Sequence, residues 1–365
     1  MTNEELKGYN MEFIKTDLLP EMVYNRCFCE SGSREFVEFE SAIVESLETP
    51  DHSIKPWELY RVKAVVRFSG EPVSFPLIVK LLPSSVQSEN SFGRFQNEEM
   101  FYSKMISLYG KDLFPKCYAS DMGRYGMPVI VLEDLTANEY EMIQEKRGMN
   151  EEELKLSLKS LGRFHGIGLR LKNEKFQLFR EFYMKLSNTV LSKDLSEKSI
   201  EFSDDNSLEN SLLVKEMKKL WDNNIGENAS ETCTNVDDIS CICHGDFSKR
   251  KVLFKREKNG TPIDVKMIDW QTMRYCSPAI ELVIIFIMNI PTPSRDQRFL
   301  QEILTVYVDA VRSEYTSITC ERLIEQLSST SLDYFTLLLQ KDTMNKEIVE
   351  QWIKSIQSFR DFLRD

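Results

Sequence analysis

The triplet His244-Gly245-Asp246 lies between an apolar entry and an apolar exit in the stretch ICHGDFSKRKVLF. This pattern predicts a loop between two short strands, with a carboxylate at the turn where it could take a proton from a substrate hydroxyl. A second carboxylate, Asp269, ends the apolar stretch VKMIDW further along the chain. Upstream, Lys80 is the one lysine in the mostly apolar SFPLIVKLLP, and Glu98 lies in the helical-looking FQNEEMFYSKMISLYG that follows. Phosphoryl transfer from ATP calls for these four parts. A cation draws in the α- and β-phosphates, an acid holds that cation, one carboxylate orients the hydroxyl and another binds Mg²⁺. Each part alone is ordinary, since strand lysines are usually solvated and aspartates often end strands. Their order along the chain makes the signal.

The elements that must position these groups are legible in outline. Residues 1 to about 30 read as a helical lead-in, with Met11, Ile14, Leu18 and Leu19 ahead of Pro20. FVEFESAIVESL (36–47) and ELYRVKAVVRF (58–68) alternate as half-buried strands do, and SFPLIVKLLP (74–83) is a third strand. A helix is expected over 95–110 with Phe95, Met100, Phe101, Met105 and Leu108 on its apolar side, and then a buried strand in MPVIVLEDL (127–135). The first third therefore reads as a small antiparallel sheet carrying one helix. Beyond residue 136 the pattern turns helical. Asn150 and Glu153 form a capping-box-like start, and Leu154, Leu158, Leu161 and His165 recur at helical spacing. Residues 190 to 240 are polar and acidic around SLLVKEMKKLW and read as a variable insertion within the second part.

With 365 residues, the chain is long enough for two modest domains or one large bilobal one. The net charge of −12 argues against a broad nucleic-acid surface, because binding a phosphate backbone requires a basic face. The local run Lys249-Arg250-Lys251 stands out against that background, either solvated or facing substrate or phosphate. Eight cysteines include no C-x-x-C pair, and a chain of this size needs no disulfide staples. Cys241 and Cys243 beside His244 hint at zinc, but no matching second pair exists, so buried thiols in a reducing compartment are expected. The N-terminus shows no apolar signal region, and the longest apolar run, LVIIFIM (282–288), falls far short of the ~20 residues of a membrane span. A buried helix after Pro278 is the better reading of that run, and a cytoplasmic protein with no membrane partner is expected.

The stretches LIVKLLP, FQNEEMFY, VLEDL, LGRFHGIGL, CHGDFSKRKVLF and IDVKMIDWQTMRYCSPAIEL, followed by PTPSRDQRFLQEILTVY, make the chain resemble the ecdysteroid kinase-like (choline-kinase-like) proteins. These are relatives of choline kinases and aminoglycoside phosphotransferases, and the likeness runs from about residue 35 to 350. It implies an α+β, bilobal, protein-kinase-like fold: a small antiparallel β-rich N-lobe (1–134, with the helical lead-in) and a larger, mainly helical C-lobe (135–365). The function it implies is ATP-dependent phosphotransfer to a hydroxyl of a small molecule, with steroid alcohols as the substrate class. Carried over by position, Lys80 would bind phosphate with Glu98 as its partner, and backbone groups around Glu133 and Leu135 would meet adenine. Asp246 would be the catalytic base, Asp269 the Mg²⁺ ligand, and Glu281 would support the loop where the family usually has an aspartate.

Two positions depart from the family pattern. Lys251 stands where an asparagine would give Mg²⁺ an oxygen; an ammonium has donors only, so a single Mg²⁺ is expected. The phosphate-covering turn, usually glycine-rich, reads DHSIKPWELYRV, without glycine and with Pro56 and Trp57 at its tip. The alternative reading is therefore a degenerate kinase fold that binds a ligand, nucleotide or partner without catalysis. The sequence names neither the acceptor nor the oligomeric state.

Overall fold

The computed structural model describes residues 3–47, 57–83, 88–144, 147–187, 238–282, 285, 297–319, 321–324, 326 and 327. The tip of the expected phosphate turn (48–56), nearly all of the acidic insertion, most of 282–288 and the C-terminal residues from 328 lie outside that description. The chain divides into two compact units: residues 1–141 with 266–271, and residues 142–265 with 272–365.

The first unit opens with α1 (Asn3–Phe13), a π-helical stretch (Ile14–Leu18) and α2 (Leu19–Tyr24). Pro20 does not break this run; it falls in α2 directly after the π-helical stretch. Strands β1 (Val37–Ser46), β2 (Glu58–Phe68) and β3 (Glu71–Leu81) form an antiparallel meander. With β4 (Cys117–Asp121) and β5 (Val129–Glu133) they complete a sheet in the order β1-β2-β3-β5-β4. The β2–β3 turn is tight: Ser69 and Gly70 both have positive φ, and Phe68 pairs with Glu71. Alternation sorts the two faces. Tyr60, Val62, Ala64, Leu77, Val79 and Leu81 enter a buried cluster with Ile14, Leu18, Leu19 and Met22 of the lead-in.

Between β3 and β4 the chain forms α3 (Glu89–Met100), a π-helical stretch (Phe101–Met105) and α4 (Ile106–Tyr109). The helix starts six residues before the expected Phe95, since Ser88 caps it: its hydroxyl accepts from the Ser91 N–H, and Ser91 answers with the reciprocal bond. The π stretch adds a residue to the turn and shifts the phase, so Tyr109 rather than Leu108 takes the last buried position. Strand β4 was not foreseen; CYASD has neither the alternation nor the β-branched content that marks a strand.

After a 3₁₀ turn (Leu135–Asn138) and the short β6 (Tyr140–Met142), the second unit is led by α5 (Glu151–Glu174). The expected capping box is present: Asn150 Oδ1 accepts from the Glu153 N–H and Glu153 Oε2 from the Asn150 N–H, both at 2.8 Å. Helix α6 (Phe176–Tyr183) follows, then β7 (Cys241–Cys243), β8 (Val252–Arg256), β9 (Pro262–Met267), β10 (Arg274–Cys276) and α7 (Gln297–Arg312). Residues 279–282 are helical, as expected after Pro278. Helices α5 and α7 approach closely. A Cβ at Gly162 would stand 2.6 Å from the Tyr307 carbonyl oxygen, and one at Gly166 2.6 Å from that of Val311. Gly162 and Gly166 of LGRFHGIGL are thus packing positions. The result is the α+β, kinase-like division into a sheet-based part and a mainly helical part. Among the described residues no helix is long and apolar enough to cross a membrane.

Candidate active site

In the first unit, Leu59 and Ile130 stand opposite Lys80 on the neighbouring strands, so Lys80 points to the face away from the lead-in helices. There its ammonium forms an ion pair with Glu98 of α3. Both side chains are nearly sealed, 8% and 4% exposed, a depth at which an unpaired charge would be strongly unfavourable. The Lys80 Nζ also lies 4.0 Å from Asp269 Oδ1.

Asp269 reaches this place because its neighbours are anchored in the first unit. The Trp270 ring stacks on Phe101 with centroids 4.0 Å apart and meets Phe114 edge-on at 5.3 Å. Asn97, buried on α3, donates to the Gln271 carbonyl at 3.0 Å, and the Gln271 amide donates to Asp269 Oδ1. Asp269 itself has φ +71°, a left-handed conformation uncommon outside glycine and held here by those anchors. Three of the expected site residues, Lys80, Glu98 and Asp269, thus come together. Asp269 offers oxygen donors of the type a hard divalent cation takes, and its side chain is 27% exposed.

At the end of β5, Glu133 donates its N–H to the Lys116 carbonyl at 2.9 Å, and Asp134 donates to Pro76 at 3.0 Å. The buried Asp134 carboxylate accepts from the Thr136 N–H and from Arg61 Nε at 2.8 Å, which fixes the path into Leu135. The Leu135 carbonyl accepts from the Glu139 N–H.

The second unit holds the loop. Gly245 has φ +88°, and a Cβ there would lie 1.8 Å from the Thr272 carbonyl oxygen, so only glycine fits between His244 and Asp246. Thr272 Oγ1 donates to the His244 carbonyl and Arg274 to that of Gly245. Glu281, fully buried, collects the loop's donors: one carboxylate oxygen accepts from the Gly245 N–H, and the other accepts from the His244 N–H at 3.1 Å and lies 2.8 Å from His165 Nε2. Burial works against ionisation of Glu281, but the His165 hydrogen bond, the nearby histidines and the Gly245 N–H outweigh it and hold the carboxyl below its usual range. His165 is placed in turn by the Tyr307 hydroxyl, 2.7 Å from Nδ1. The chain Tyr307–His165–Glu281 thus supports the loop from α5, α7 and the 279–282 helix. Tyr307 was not singled out from sequence; its position in EILTVYVDAV looks like any core aromatic. The His244 ring accepts from the Asp246 N–H at 3.4 Å and meets Phe247 edge-on, a turn-shaping role.

Asp246 projects outward, its side chain 54% exposed. Lys251, in the 3₁₀ turn Lys249–Lys251, brings its ammonium 3.6 Å from Asp246 Oδ2. An ammonium there offers no lone pair to a metal and sets a positive charge beside the carboxylate. Lys249 is spent on structure, donating to the Arg147 carbonyl at 2.6 Å.

The six described cysteines are free thiols, with Cys241, Cys243 and Cys276 buried; Cys233 and Cys320 lie outside the described residues. His165, not His244, is the histidine whose ligand atoms come within 4.8 Å of the Cys241 and Cys243 sulfurs. Both of its ring nitrogens are hydrogen bonded, and burial pushes the Cys243 thiol well up, away from the thiolate that a metal ligand requires.

Among solved structures, the chain is similar to an aminoglycoside phosphotransferase from Alicyclobacillus acidocaldarius (12% identity over 88% of this chain and 90% of that one, TM-score 0.45). It is similar also to the GDP complex of aminoglycoside 2'-phosphotransferase-IIIa (12% identity, 96% and 99%, TM-score 0.42). A third is choline kinase from Cryptosporidium parvum (13% identity, 88% of each chain, TM-score 0.43). No curated protein matches the chain significantly in sequence. The model of the ecdysteroid kinase-like family matches residues 58–319, well over half of the chain, and spans the Lys80, Glu98, His244-Gly245-Asp246, Asp269 and Glu281 positions just described. The chain is a member of the ecdysteroid kinase-like family.

Proposed function

We propose that the protein is a small-molecule kinase that transfers the γ-phosphoryl group of ATP to a hydroxyl, with steroid alcohols as the acceptor class that family membership suggests. The observation that carries this reading is the buried Lys80–Glu98 pair with Asp269 4.0 Å from the same ammonium. A lysine paired with a carboxylate in a nearly sealed place, next to a second carboxylate on a residue of left-handed backbone, is an arrangement suited to anchoring phosphates beside a metal ion. Adenine would be read by the Glu133 carbonyl and Leu135 N–H, the groups of those residues other than the two already bonded. Mg²⁺, bound through Asp269, would neutralise phosphate charge. Asp246 would accept the proton of the acceptor hydroxyl as the new O–P bond forms and ADP leaves. Localisation in the cytoplasm and a small-molecule partner, without nucleic acid or membrane, belong to the same proposal.

One observation favours the second reading, a kinase fold that binds nucleotide without turning over: Lys251 neutralises the carboxylate that would act as base. The two readings share nucleotide binding and part at chemistry. Calorimetric titration with ATP, with and without Mg²⁺, tests what they share, and release of inorganic phosphate or transfer to a sterol panel tests where they part. Binding enhanced by Mg²⁺ together with transfer supports the kinase. Binding alone selects the second reading, and no binding rejects both.

A further inference from the structure

Trp57 immediately precedes β2, and strand parity determines where its ring goes. Leu59 stands directly opposite Lys80 in the β2–β3 register, so the two side chains leave the sheet on one face. Two residues back, Trp57 leaves on that face again, diagonal to Lys80 and within reach of a long side chain. The structure bears this out, with the Lys80 ammonium over the Trp57 indole, 4.6 Å from the ring centroid, and the Phe95 ring at 5.7 Å. The ammonium is thus enclosed by Glu98, Asp269 and two aromatic rings, and its side chain is only 8% exposed. Glu98 closes one side of the ammonium, and Asp269 repels an anion on another until a cation covers it. The indole holds a further approach that an anion could use.

We infer that Trp57 is a specificity-determining residue for phosphate at Lys80: its indole takes the place a nucleotide polyphosphate needs, and rotation of that one side chain away from the ammonium accompanies binding. This rests on the nucleotide reading above and adds to it an internal competitor, the π face of an indole against a phosphate oxygen. A cation–π contact of this kind corresponds to a factor of roughly 2 to 30 in affinity. A residue of the glycine-free turn thereby sets the threshold for nucleotide loading rather than abolishing it.

The test is ATP affinity by calorimetry on the full chain, for wild type, Trp57→Ala, Trp57→Phe and the Trp57→Ala/Lys80→Ala double variant. Trp57→Ala is expected to bind ATP about 2- to 30-fold more tightly, and Trp57→Phe, with a weaker π face, to gain less. The gain should vanish when Lys80 is also replaced. Weaker or unchanged binding in Trp57→Ala overturns the inference, because the indole then stacks on the nucleotide or stands apart from it. A gain that survives loss of Lys80 overturns it as well, as would weaker binding in Trp57→Phe if the alanine variant fails to fold. Wild-type binding with no effect at Trp57 removes this inference and leaves the nucleotide reading standing. Absence of binding in wild type and in Trp57→Ala alike removes both.

Discussion

Lys251→Asn is the substitution that most directly asks whether this member of the family has working chemistry. Its ammonium lies 3.6 Å from the Asp246 carboxylate. Two unit charges at that distance attract by about 5 kcal/mol at an effective dielectric of 20, and by about 1 kcal/mol in bulk water. Asp246 is half exposed and Lys251 one-fifth exposed, so the pair belongs near the lower figure, about 1–2 kcal/mol. That is the free energy an acceptor hydroxyl must overcome to take the carboxylate from the lysine, and it corresponds to roughly 5- to 30-fold in rate if freeing the base limits transfer. Asparagine removes the competing charge and supplies an amide oxygen in its place. The expected outcome is a 5- to 30-fold rise in phosphate release from Mg-ATP, measured by a coupled phosphate assay, with tighter Mg-nucleotide binding by calorimetry. The reasoning is refuted if Lys251→Asn lowers an existing activity tenfold or more. Lys251 would then be a phosphate contact that the reaction uses, and the protein an active kinase with one metal ion.

Asp246→Asn is expected to abolish phosphoryl transfer while ATP affinity stays within about twofold, whereas Asp269→Asn should erase the Mg²⁺ dependence of ATP binding; calorimetry and the phosphate assay separate the two roles. Gly245→Ala places a Cβ against the Thr272 carbonyl at a backbone φ of +88°, so a loss of about 3 kcal/mol or more in chemical denaturation is expected, with activity lost alongside. Glu153, fully buried and bonded to Arg147 and Arg256, has its carboxyl lowered to about 2 in spite of its burial. A depressed carboxyl stabilises the fold above its unfolded value, near 4.5, and that contribution fades as pH falls toward about 2. It amounts to about 3 kcal/mol, so urea midpoints should drop across this window in wild type and much less in Glu153→Gln.

The elements were legible where local pattern dictates them. Alternation in β1 and β2 placed both strands to within a residue, since a two-sided sheet needs one apolar face. The Asn150–Glu153 box marked the start of α5 because a helix N-terminus must find acceptors for its N–H groups within a few residues. The loop around Asp246 could be read in the same way, from an apolar strand on each side and a glycine at the turn. Family resemblance then supplied roles for Lys80, Glu98 and Asp269 and the pairing of the first two, but not what brings all three to one place. That meeting depends on contacts far apart in sequence: Trp270 stacked on Phe101, and Asn97 bonded to the Gln271 carbonyl. The same holds for Tyr307 behind His165 and Glu281, and for Trp57 over Lys80. In each case the sequence determined which chemical groups exist and which face of its own element each one takes. Which groups stand next to one another was decided by register between strands and packing between helices. Those depend on the shape of whole buried surfaces, which no short window of residues encodes.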